Sequence, residues 1–219
     1  MFFSGYGKFM HELIARYHLG DSSSDDLAME YLRSFRNRVT ARAPNEKIFQ
    51  NYFLDGLRYL KTLSKPKNKI VLVEGRVEFN VGNIPFVGYI DLLEEDDENT
   101  TLVVDNKSRS LKPRSGKSKP TIADKELDEY LRQLYLYSVA VKDKYGKFPK
   151  KLCFECFRQQ IRIEEPFDVG AYENTLVWTK DCVSKITEET EFKPNMEYFK
   201  CRYLCDMQDL CDYYRLSRG

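Results

Sequence analysis

Thr101 to Ser108 reads TLVVDNKS, and it follows IPFVGYIDLLEE at Ile84 to Glu95. Thr101, Leu102, Val103 and Val104 have the composition of a short apolar strand, and that strand ends on a carboxylate, Asp105, and an ammonium, Lys107. Side chains alternate along a strand with a period of two, so Asp105 and Lys107 leave one face while Asn106 leaves the other. On a surface such a pair would be an ion pair worth at most about 1 kcal/mol. The preceding strand argues for more. Asp91 lies near its end, and adjacent antiparallel strands can set Asp91 and Asp105 side by side. Two adjacent carboxylates repel unless a cation lies between them, and a divalent metal with oxygen ligands is the usual solution. A metal that polarises a phosphate oxygen and lowers the pKa of a bound water, with a lysine to steady charge or orient that water, is the apparatus of phosphodiester hydrolysis.

Working outward, KIVLVEGRVEFNV, the turn residues Gly82-Asn83, IPFVGYIDLLEE, the polar turn DDENT and TLVVDNKS predict three strands joined as a meander. The segment KSRSLKPRSGKSKPT then carries basic residues at 107, 109, 112, 114, 117 and 119 with no acid among them, and is expected to be a loop. DKELDEYLRQLYLYSVAVKDKYG predicts a helix ending at Gly146, KKLCFECFRQQIRIEE a further strand or hairpin arm, and 169–187 another helix. Ahead of the meander the apolar spacing predicts helices over 7–17, 26–39 and 46–63. Helices, meander, helix, strand, helix and a cysteine-rich tail describe an α/β domain with a mixed central sheet flanked by helices. The expected division is a helical N-terminal part over 1–64, the sheet and chemistry over 68–164, and the C-terminal helix and tail over 165–219, all one domain of 219 residues.

Lys plus Arg at 35 against Asp plus Glu at 34 leaves a net charge of +1, so nucleic-acid affinity must come from local clustering. No run of about 18 apolar residues occurs, and MFFSGYGKFMHEL lacks the features of a signal peptide, so a cytoplasmic, non-membrane location is the expectation. The six cysteines do not form a disulfide scaffold: Cys201, Cys205 and Cys211 crowd the tail, Cys153 and Cys156 form a pair, and Cys182 stands alone. In a reducing compartment such crowding suggests metal.

Gly88-x-Ile90-Asp91 followed by Asp105-x-Lys107 resembles the core of the PD-(D/E)XK nuclease superfamily, with its restriction-endonuclease-like fold. Three further elements stand in the order of the RecB-type branch, which includes CRISPR-associated and phage exonucleases. They are Gly7-x-x-x-His11 on an N-terminal helix, Gln133-x-x-x-Tyr137 on the helix after the sheet, and Cys201, Cys205 and Cys211. The resemblance spans nearly the whole chain. It implies that His11, Asp91, Asp105 and Asn106 form the site of a Mg2+ or Mn2+ ion, that Asp91, Asp105 and Lys107 carry catalysis with Glu74 in support, and that Gln133 and Tyr137 organise the site and contact DNA. Glu78 competes with Glu74 at the same strand parity, and His18 has no motif around it and is read as surface.

By default the loop from Arg109 to Lys119 is a solvated, mobile segment. Following the D-x-K strand directly, its Arg109, Lys112 and Arg114 are placed to hold a phosphate backbone, and the loop is expected to order on binding DNA. The cysteine tail could be packing alone. In RecB-type nucleases with this tail, three such cysteines join one far upstream to hold a four-iron four-sulfur cluster. No cysteine precedes Cys153 here, so the expectation is an incomplete cluster and a missing N-terminal segment. Cys182 is a possible fourth ligand, whereas Cys153 and Cys156, three apart on a strand, point to opposite faces.

The leading functional reading is therefore a metal-dependent DNA nuclease, an exonuclease of phage or prokaryotic DNA processing, with DNA as partner and a helicase or recombinase beside it. The alternatives are an inactive DNA-binding or assembly module of the same fold, and a small zinc-binding interaction domain.

Overall fold

The structure, a computed structural model, describes residues 1–64, 66–96, 101–194, 196–205 and 207–216. The chain forms two compact units, one comprising Ser64–Glu188 and the other Met1–Leu63 with Glu189–Gly219.

In the first of these, β1 (Lys69–Val81), β2 (Ile84–Glu95) and β3 (Thr101–Asn106) form the antiparallel meander. Strand β3 pairs in parallel with β4 (Lys151–Cys156), and β4 returns antiparallel to β5 (Ile161–Pro166), giving the order β1-β2-β3-β4-β5. A parallel pair needs a long crossover, and α4 (Ile122–Tyr145) supplies it. The sheet is mixed and flanked by helices, as the restriction-endonuclease-like reading requires. The β1–β2 turn places Gly82 at φ +65°, a conformation that suits glycine. The expected DDENT turn falls largely at 97–100, outside the described residues.

Every residue of β3 is buried, which is what a central strand covered on both faces demands. Val103 packs toward Leu127, Leu131 and Leu134 of α4, while Leu102 and Val104 join Leu92 and Cys153 on the opposite face. Cys156 lies with the α4 cluster, so the two strand cysteines do leave opposite faces. Burial pushes their thiols up to about 12 for Cys153 and about 11 for Cys156, which leaves both unreactive. Helix α4 opens with a capping box between Thr121 and Asp124 and closes on Gly146 at φ +71°. Behind it α5 (Val169–Glu188) packs against α4 and β1.

The second unit holds α1 (Phe2–Leu19), α2 (Ser24–Arg38) and α3 (Glu46–Thr62), with α6 (Tyr198–Tyr203), a single 3-10 turn at Gln208–Leu210, and α7 (Asp212–Leu216). Helix α1 starts five residues before the expected 7, because the sequence reading stopped at Gly5 and Gly7. Each glycine costs roughly 1 kcal/mol of helix propensity. Ring packing outweighs that cost: Phe2 meets Tyr52 at 5.5 Å between centroids and Phe49 at 6.2 Å, and Tyr6 meets Tyr52 at 4.9 Å. Gly56 lets α3 approach this cluster, since a Cβ there would lie 2.5 Å from the Tyr31 hydroxyl.

Candidate active site

The meander sets three carboxylates at one level. The pairs Val73↔Leu92 and Gly75↔Ile90 bracket Glu74 and Asp91, which face each other across β1 and β2, and a carboxylate oxygen of each lies within 4.8 Å of the other. The β2–β3 register, Leu92↔Val104 and Leu93↔Val103, runs on to bring Asp91 alongside Asp105. Asp91 Oδ2 accepts the Asn106 backbone N–H at 2.6 Å, which ties the two strand ends together.

Strict alternation does not survive at this level. Gly75 and Ile90 border the α4 side, where a Cβ on Gly75 would overlap the Leu72 side chain, yet Val73 and Leu92, two residues away, belong to the opposite cluster. The alternation slips by one residue at Glu74 and at Asp91. Glu74 takes up the slip with φ +45°, a left-handed conformation that costs an ordinary residue about 1–2 kcal/mol. Glu78 consequently leaves the face away from α4 and pairs with Arg76, which separates it from Glu74.

Lys107 turns back onto Asp105 with Nζ 2.6 Å from Oδ2, the two side chains 18% and 5% exposed. Its backbone N–H donates to Glu155 O at 2.9 Å. The ammonium also donates to Gln133 Oε1 at 3.0 Å and lies 5.8 Å from the Tyr130 ring centroid and 5.9 Å from that of Phe154. Gln133 Nε2 donates in turn to Tyr137 Oη at 2.9 Å. Burial raises the Tyr137 phenol above its ordinary pKa, with the Asp105 and Asp91 charges adding to the shift and the Gln133 hydrogen bond opposing it. The ring lies against β2 where a Cβ on Gly88 would come within 2.6 Å of Cε1. The glycine of the GYID stretch is thus room for this tyrosine.

The basic loop departs from its expected mobility. Leu111 is buried and its N–H donates to Gln159 Oε1 at 2.8 Å. Ser115 donates from its N–H and its hydroxyl to Asp124, and Thr121 does the same, so these hydrogen bonds hold the Asp124 carboxylate far below the usual range. Arg109 bonds Glu126 at 2.5 Å and Tyr130, and Arg114 bonds Glu165 and Asp128 at 2.8 Å each, hydrogen bonds that raise its pKa further. Acids absent from the loop come from α4 and β5. Lys112 is exposed and makes no ion pair with a described residue.

Glu126, Tyr130, Gln133 and Tyr137 form one stripe on α4, four, three and four apart, and this stripe faces Lys107 and Arg109. The sequence reading stopped at Gln133 and Tyr137, although the same spacing carried back would have found the other two. His11 lies half-buried on α1 in the other unit. Cys201, Cys205 and Cys211 are half-buried free thiols in that unit, while Cys182 is on α5.

A family model described as the PD-(D/E)XK nuclease superfamily matches residues 3–212. The chain belongs to that superfamily. Membership implies a nuclease, of a class that usually uses divalent metals, and the carboxylate oxygens of Glu74 and Asp91, within 4.8 Å of each other, are hard donors of the kind such a cation takes. Among solved structures, one described as the crystal structure of SSO0001 is 17% identical, with 95% of this chain and 96% of that chain covered and a TM-score of 0.35. No curated protein matches the sequence. No described helix is long and apolar enough to cross a membrane.

Proposed function

We propose that this nuclease is a Mg2+- or Mn2+-dependent deoxyribonuclease of the RecB-type branch, acting as an exonuclease in phage or prokaryotic DNA processing. The observation that carries the reading is the buried Asp105–Lys107 pair on the strand beside Asp91. Withdrawing two charges from water costs several kcal/mol each, so a fold that merely needed stability would do as well with apolar residues. A site that must hold a cation and a phosphate needs both charges.

Asp91, Asp105, Asn106 and His11 would hold the metal, with Glu74 adding a carboxylate at the rim, and the two units would act as one nuclease domain. When bound, the metal supplies a Lewis acid and a water of lowered pKa. Lys107 keeps a positive charge where the phosphate gains negative charge, and Gln133 with the Tyr130 and Phe154 rings keeps that ammonium from swinging to solvent. Arg109, Lys112 and Arg114 would take backbone phosphates. Lys112 can do so at once, whereas the arginines must exchange Glu126, Asp128 and Glu165 for phosphate. The tail thiols would contribute to a structural iron–sulfur cluster, and a helicase or recombinase would deliver DNA ends.

The test uses end-labelled linear and circular single- and double-stranded DNA with magnesium, manganese or chelator. Mononucleotides or short oligonucleotides from linear DNA, with circles intact and chelated reactions silent, are expected. Cut circles would refute the exonuclease assignment, and intact DNA throughout would leave the chain as a binding module of the same fold. For the tail, anaerobic reconstitution should give a broad absorbance that Cys205→Ser abolishes while metal-dependent cleavage persists; a colourless product with all three thiols freely alkylated would refute it.

A further inference from the structure

Helix α4 has a second working face. At 100° per residue, the stripe at 128, 131, 132 and 135 points opposite to the stripe that meets Lys107. There α4, β5 and α5 enclose a groove of about 740 Å3 lined by Arg114, Leu131, Arg132, Asn174 and Trp178 among others. Three carboxylates, Asp128, Glu165 and Asp168, share that lining with the two arginines, and each is held by a partner within the protein. Arg114 bonds both Asp128 and Glu165, and Asp168 Oδ1 accepts the Ala171 N–H at 2.6 Å.

What remains is a set of groups with unspent bonding capacity. Trp178, the only tryptophan of the chain, is 42% exposed. The Arg132 guanidinium lies 4.4 Å from its ring centroid and has no carboxylate partner among the described residues. Asn174 is exposed, and its amide makes no hydrogen bond to a described residue. A flat aromatic face, a cation and an amide suit one nucleotide of a single strand: the base stacks on the free face of the indole, the phosphate meets the guanidinium, and the amide reaches a base edge. Tryptophan and arginine also seed protein interfaces. The path to the groove decides between the two. The basic loop leaves Lys107, passes Arg109 and Lys112, and reaches the groove wall at Arg114.

We infer that the groove binds a single-stranded segment of this nuclease's own substrate, leading it around α4 from the Lys107 site to Trp178. The inference rests on the reading of the substrate as DNA. Half the circumference of a helix about 10–12 Å across is roughly 16–19 Å, which corresponds to about five nucleotides at about 3.4 Å each.

Because Trp178 is the sole tryptophan, its emission reports the groove alone. The intact protein would be titrated, with and without magnesium, with a cleavage-resistant phosphorothioate thymidine strand of roughly twelve nucleotides, a length a single-strand groove spans. Anisotropy of a fluorescein-labelled strand measures binding, and tryptophan emission with unlabelled strand measures occupancy of the groove. Binding should quench the emission with the same midpoint as the anisotropy, and Trp178→Leu, checked for an unchanged melting curve, should weaken binding about tenfold, the loss of one stacked base. A strand that binds by anisotropy without moving Trp178 emission overturns the groove assignment and leaves the DNA reading standing. A strand that fails to bind under either condition refutes the DNA reading and this inference with it.

Discussion

Replacing Lys107 by Ala separates what the lysine does for folding from what it does for chemistry. In the metal-free protein its ammonium is the nearest cation to Asp105, at 2.6 Å, with the pair largely out of water. Removing one partner of a buried pair leaves the other charge uncompensated and costs about 3–5 kcal/mol. Lys107 retains 18% exposure, which lets solvent relieve part of that, so about 3 kcal/mol is expected. For a chain of this size that corresponds to a fall in Tm of roughly 6–12 °C. Metal should act in the opposite sense. The ammonium and a divalent cation compete for the same carboxylate, and the repulsion of a single and a double charge at about 4 Å amounts to about 2–8 kcal/mol between effective dielectrics of 80 and 20. Lys107→Ala should therefore bind Mg2+ about tenfold more tightly or better than the native protein, and added metal should recover most of the lost Tm. Turnover should still fall about 10²–10³-fold, because the charge that meets the phosphate is gone. The assay pairs thermal unfolding in chelator and over a magnesium titration with single-turnover cleavage at saturating metal. A chelator-state Tm equal to that of the native protein, or weaker magnesium stabilisation in the variant, would refute the pairing of Lys107 with a carboxylate that also takes the metal.

Gly88→Ala should cost about 1–3 kcal/mol and slow cleavage, since the new methyl drives the Tyr137 ring from its place; in a Tyr137→Ala background the same change should cost almost nothing, as read from urea unfolding of all four proteins. At position 74, Gly should be more stable than Ala by about 1 kcal/mol, because φ +45° suits only the former, while both variants lose metal-induced stabilisation; equal stabilities would show that the backbone there is relaxed. The depressed pKa of Asp124 contributes stability that is present above the ordinary carboxylate pKa of about 4 and is lost as pH falls toward the folded-state value. Asp124→Asn should therefore flatten the acid limb of a Tm-against-pH curve, and an unchanged limb would assign acid sensitivity elsewhere.

The strands, the crossover helix and the D-x-K level were legible because each follows from a local rule. TLVVDN is too apolar to be anything but a covered strand, and Thr121 and Gly146 punctuate α4 with capping residues. The start of α1 was not, because Gly5 and Gly7 are poor helix residues whose cost is met by aromatic contacts from α3, distant in sequence. The loop's anchoring was hidden for the same reason: Glu126, Asp128 and Glu165 neutralise it from α4 and β5, and no count of charges within the loop can include them.

The least legible feature is the one on which the proposed site depends. A period of two correctly puts Asp105 and Lys107 together, but applied along β1 it leaves Glu74 and Glu78 equivalent. The slip at Glu74 and Asp91 breaks that equivalence by changing which face the later part of each strand presents. Local sequence preference opposes such a slip, since glutamate is a poor choice for φ +45° and Gly75, which could adopt it freely, sits one position later. A fold selected only for stability would place the glycine at 74. Glutamate at the strained position, with a carboxylate oxygen within 4.8 Å of one on Asp91, indicates that backbone energy is given up to keep negative charge at this level of the sheet.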